Sequence, residues 1–84
     1  MSTRCKRIKR ILENPKNVSF DELDSVLSQF GWSYSSPKGS HYPYSHEGFR
    51  DIITVPFKRP FVNEHYVKQV IKILNLEEYY DENC

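Results

Sequence analysis

The run SPKGSHYPYSHEGF, residues 36–49, packs two imidazoles, two phenols, two glycines and a lysine between stiffening prolines. His41 is the residue type that takes or gives a proton near neutral pH. On RNA the proton within its chemistry is that of a ribose 2′-hydroxyl. Removing it turns that oxygen into a nucleophile for the adjacent phosphorus, with no metal or other cofactor required. The preceding residues suit such chemistry. Lys38 offers a cation to phosphate, Gly39 permits close backbone approach, and Ser40 adds a hydroxyl. His46 is the candidate for a second acid or base, protonating the leaving oxygen. From residue types alone, a polar hairpin carrying a surface histidine is the favoured reading.

The elements that must position these groups follow from periodicity. Residues 3–13 predict a helix with Ile8, Ile11 and Leu12 on one stripe, stopped by Asn14-Pro15. Ser19 and Glu22 form a capping box that opens a second helix. Its apolar residues Phe20, Leu23, Val26, Leu27 and Phe30 recur at helical steps, and Gly31 ends it. From Trp32 to Phe57 the period becomes that of strands: WSYSS, HYPYSH and DIITVPF, separated by the turn residues PKG and EGF. A three-stranded antiparallel meander results. Pro43 is awkward in its central strand, since proline donates nothing to a ladder, and either a bulge or a short pairing resolves it. Asn63 caps a closing helix with Tyr66, Val67, Val70, Ile71 and Leu74 on its buried stripe, and His65 reads as surface. The fold class is α+β, with the long helices on one face of the sheet and the other face open. Strand alternation puts His41 on the face opposite Tyr42 and Tyr44, which read as core. His46 falls with the tyrosines unless a bulge at Pro43 resets the face.

At 84 residues and net charge +1, the chain has room for one domain, spanning 1–84. Charge is uneven: residues 1–16 form a basic N-terminal extension, and residues 77–84 an acidic tail expected to fray or meet a partner. Lys38, Arg50, Lys58 and Arg59 are the cations of the middle, placed to neutralise phosphates along one edge. Cys5 and Cys84 lie at opposite ends without metal-ligand spacing. They are expected to be unpaired and inert, as suits a reducing cytoplasm. No apolar run reaches membrane-spanning length.

One further observation weighs on function. VSFDELDSVLSQFGWSYSSPKGSHYPYSH, then ITVP, then NEHYVKQVIKILNL, resembles the HicA family of bacterial toxins. The ordered pattern is a helix ending in FG, a short strand, KGSH, a histidine five residues later, and TVP before the last helix. The resemblance implies a fold like the double-stranded-RNA-binding domain, preceded here by an extra N-terminal helix. It also implies a type II toxin that cleaves mRNA without a metal, with His41 catalytic and a HicB-type antitoxin as inhibitor. On this reading Lys38, Gly39, Ser40, Arg50 and Lys58 bind substrate, and the toxin–antitoxin complex is a candidate binder of operator DNA. The chain departs from the family at Pro43, and at Lys58, where members often carry histidine. The alternative is a non-catalytic RNA- or DNA-binding module on the same fold, acting through the antitoxin complex.

Overall fold

The computed structural model describes residues 2–84; Met1, the first residue of the basic extension, lies outside them. Helix α1 spans Thr3–Glu13, and Ser2 caps it by accepting the Cys5 N–H at 3.1 Å. Helix α2 spans Phe20–Gln29 and carries the expected capping box. The Glu22 N–H donates to Ser19 Oγ at 3.2 Å, and the Ser19 N–H donates to Glu22 Oε1 at 3.3 Å. Gly31, at φ +86°, turns the chain so that the Trp32 N–H reaches back to the Leu27 carbonyl at 2.9 Å.

Strands β1 (Ser33–Tyr34), β2 (His41–Ser45) and β3 (Ile53–Pro56) form an antiparallel sheet in the order β1-β2-β3. Helices α3 (Glu64–Ile73) and α4 (Leu76–Asn83) follow, with Asn63 capping α3 as expected. Ile8 and Ile11 of α1, Leu23 and Leu27 of α2, and Val67 and Val70 of α3 meet Tyr44, Ile53 and Val55 of the sheet in one apolar cluster. Thr54, between two buried β3 residues, is exposed, as is His41 on the same face of β2. Helices therefore cover one face and leave the other open. This is the α+β arrangement of a double-stranded-RNA-binding domain, extended here by a helix at each end.

Pro43 introduces no bulge. The register runs unbroken from His41↔Pro56 through Pro43↔Thr54 to Tyr44↔Ile53. The short pairing resolves the conflict. The backbone N–H and carbonyl of His41 both bond Lys38, on the β1 side, and alternation points the Pro43 nitrogen the same way. β1 ends at Tyr34, opposite Tyr44, so no ladder partner waits for the N–H that Pro43 lacks.

Two expectations are overturned. The acidic tail is not frayed: it is α4, with Leu76 fully buried, packed along α1. The Tyr79 ring meets Phe30 at 4.9 Å, and its hydroxyl accepts from Arg4 Nη1 at 3.1 Å. The two cysteines are not unpaired either, since Cys5 and Cys84 form a disulfide with their Cα atoms 5.8 Å apart. Their spacing in sequence carried no sign of this, because the bond depends on α4 folding back along α1. The disulfide also removes the basis on which cysteine usage pointed to a reducing cytoplasm. Among the described residues, no helix is long and apolar enough to cross a membrane.

Candidate active site

The KGSH segment is a tight turn, locked on both sides. The Lys38 N–H donates to the His41 carbonyl and the His41 N–H to the Lys38 carbonyl, both at 3.0 Å, which closes a two-residue loop of Gly39 and Ser40. Gly39 sits at φ +59°, where a side chain is costly, and a Cβ there would point into open space. On the other side the Ser40 carbonyl accepts the Phe57 N–H at 2.6 Å, tying the turn to the end of β3. His41 is thus the first residue of the central strand, with its exposed side chain on the open face and its backbone held in place.

Around it lies a shallow hollow of about 270 Å³, lined by Ser36, Lys38, His41, Pro43 and Thr54. Pro43 contributes twice: it offers an apolar floor, and it faces the place where β1 has already stopped, which leaves residues 35–40 to loop out beside His41. Ser36, at φ +49°, makes the bend that begins this loop. Thr54 was within reach of sequence reasoning, since β3 alternates and puts it on the His41 face. Ser36 had no such signal.

His46 is elsewhere. It lies just past the end of β2, five residues from His41 and roughly 16 Å away at a strand's rise, and alternation puts it on the helix-covered face. Its Nδ1 accepts the Gly48 N–H at 2.8 Å, so any ring proton resides on Nε2 in the neutral form. The ring packs against Trp32 at 5.5 Å and Phe49 at 5.1 Å, close over Gly31. It packs in the β2–β3 turn, and the structure does not bring it beside His41.

The remaining candidates divide. Tyr44 is 1% exposed and its hydroxyl donates to Asp24 Oδ1 at 2.7 Å. Burial first, and then the Asp24 carboxylate, push its phenol far above the usual tyrosine range. Tyr42 is half-buried against Phe20 and Tyr34, each at 4.8 Å. Neither is a base platform. Arg50 stands in the β2–β3 turn at the far end of the sheet from His41, and so does not join Lys38. Lys58 is closer, two residues past Pro56, the cross-strand partner of His41. It lines hollows on the α2 side of the turn rather than the one around His41. His65 is exposed, as expected. Among the described residues, no three His, Cys, Asp or Glu side chains cluster as metal ligands.

No curated protein and no solved structure matches the chain. A family model does: residues 20–76 match the model described as the HicA toxin of bacterial toxin–antitoxin systems. The match runs from the first residue of α2 to the first of α4 and takes in the KGSH turn, the whole sheet and α3. Spanning well over half of the chain and all of the open face, it places this protein in the HicA toxin family.

Proposed function

We propose that this chain is a metal-independent endoribonuclease that cleaves mRNA, with His41 as its proton-transferring residue. One observation carries the reading: an exposed imidazole on a hydrogen-bond-locked glycine turn, beside Lys38, at the edge of an uncovered sheet face. Neutral His41 takes the 2′-hydroxyl proton, the 2′-oxygen attacks phosphorus, and the 5′-oxygen leaves. The products are a 2′,3′-cyclic phosphate and a 5′-hydroxyl, the leaving oxygen taking its proton from the imidazolium or from water. Lys38 balances charge on the phosphate, and Gly39, lacking a side chain, lets the backbone come close. Lys58 and Arg50 act at a distance from the scissile bond, and His46 serves the fold rather than the chemistry.

Membership in the family implies an antitoxin partner. We assign that role to a HicB-type protein that covers His41, since blocking one exposed side chain is enough to silence this site. Operator DNA is then a ligand of the complex. The test is cleavage of a long unstructured RNA in EDTA by the wild-type chain and by His41→Ala. Undiminished cutting by the variant removes His41 from the mechanism, and loss of cutting in EDTA by both removes metal independence.

The separation of His46 from His41 favours a second reading, a module that binds RNA without cutting it. It predicts salt-sensitive retention of intact RNA at saturating protein.

A further inference from the structure

Beyond the His41 turn, the chain makes a cleft that joins Lys58 to Lys16 and Phe61, residues the catalytic reading leaves unused. Two hollows, of about 310 and 390 Å³, meet around Lys58 and Pro60, which line both. Arg59 borders the first, and Lys16 and Phe61 border the second. The cleft lies on the α2 side of the KGSH turn and is tied to it through the backbone, because the Phe57 N–H bonds the Ser40 carbonyl and Lys58 follows directly. A second backbone bond, from the Val62 N–H to the Val18 carbonyl at 2.9 Å, pins residues 58–62 to the α1–α2 linker and brings Lys16 beside Phe61.

We infer that this cleft is a subsite for single-stranded RNA flanking the nucleotide cut at His41. The inference rests on the ribonuclease reading and extends it to substrate shape. Charge supports it: Lys16, Lys58 and Arg59 face two carboxylates, and one of these, Glu64, is engaged by Lys68 at 3.2 Å. Asp21 is the other. Three cations against one free acid suit a run of phosphates. Aromatic surface supports it as well, since Phe61 is 37% exposed at the rim. Arg59 lies over the Phe57 ring at 5.3 Å, which holds its planar guanidinium at the mouth of the cleft. Cations interleaved with an open aromatic ring are how proteins hold single strands, where splayed bases stack and phosphates are neutralised. A duplex keeps its base faces to itself and has nothing to offer Phe61.

The experiment uses the full chain and a Lys16→Ala/Arg59→Ala/Phe61→Ala variant, with unstructured oligoribonucleotides as probes. Cleavage is followed on a trinucleotide and a decanucleotide, and binding of the decanucleotide by fluorescence anisotropy across a salt series. The wild type should favour the decanucleotide in kcat/KM, and the variant should lose roughly 5- to 150-fold of that preference, the range of one lost stacking contact. Its salt dependence of binding should flatten by about 1.4 log units per log unit of salt, for two lost phosphate contacts. Phe61→Tyr, which keeps a stacking face, should hold wild-type preference. An unchanged length preference and salt slope in the variant overturns the inference, as does an equal fall on both substrates. So does a variant that keeps RNA affinity and loses only its grip on an acidic protein partner. If the wild type binds the decanucleotide and cuts nothing, the ribonuclease reading fails, and the binding arm alone decides the cleft.

Discussion

Among single changes to this fold, removing the Cys5–Cys84 bond should have the largest effect. The residues are 79 apart in sequence, so the bond closes nearly the whole chain into a loop and restricts the unfolded ensemble accordingly. For a loop of about 80 residues, the chain-entropy relation gives about −15 cal/mol/K, or roughly 4.5 kcal/mol at 25 °C. Total stability for 84 residues is expected between about 4 and 13 kcal/mol, so the bond accounts for a large share. At about 4–8 °C per kcal/mol for a domain of this size, Cys84→Ser should melt at least 15 °C below the oxidised wild type. The loss should begin at α4. Eight residues cannot hold a helix alone, and without the bond α4 rests on Leu76, the packing of Tyr80 and the contacts of Tyr79 with Phe30 and Arg4. Calorimetry on oxidised, reduced and Cys84→Ser protein measures the shift, and amide exchange over residues 77–84 locates it. A thiol assay finding two free thiols per chain after equilibration with glutathione disulfide would refute the pairing. Melting points within about 5 °C of one another would refute the magnitude.

Other substitutions separate chemistry from packing. His41→Ala should lower RNA cleavage by about 10²–10⁴-fold, the usual worth of a positioned acid or base, while leaving the melting point within a few degrees. Gly39→Ala should cost about 1 kcal/mol in urea denaturation, from the φ of +59° alone, because its Cβ meets nothing. Gly31→Ala should cost more, since its Cβ would lie 2.9 Å from His46 Nε2 in addition to a φ of +86°. Tyr44→Phe should cost about 1.5–3 kcal/mol by leaving Asp24 without its donor. The raised Tyr44 pKa adds a pH signature. Above about pH 10 the unfolded chain releases this proton and the folded chain keeps it, so the folded state binds more protons and stability falls as pH rises. Denaturation midpoints at pH 9 and 11 should show a smaller loss in Tyr44→Phe than in the wild type.

Much of the architecture was legible because its causes are local. The capping box at Ser19 and Glu22, the Asn63 cap and the Gly31 terminus each act within three or four residues, and each stands where its residues predicted. Alternation along β2 and β3 likewise placed His41 on the open face and Tyr44 in the core, since a strand's period of two depends only on the strand. The KGSH turn could be read for the same reason: a glycine at positive φ between two bonded residues closes on itself.

Residue order and spacing were thus enough for the succession of elements, the two faces of the sheet and the position of one imidazole. They were not enough to say where segments distant along the chain meet. Only the return of α4 along α1 brings Cys84 to Cys5 and turns an acidic tail into a helix. Only the unbroken register past Pro43 leaves His46 on the face opposite His41, and only the backbone bond between Val62 and Val18 sets Lys16 beside Phe61. Contacts of this kind depend on how preformed elements pack, which residue spacing does not record, whereas caps, turns and strand faces are settled within a few residues of one another.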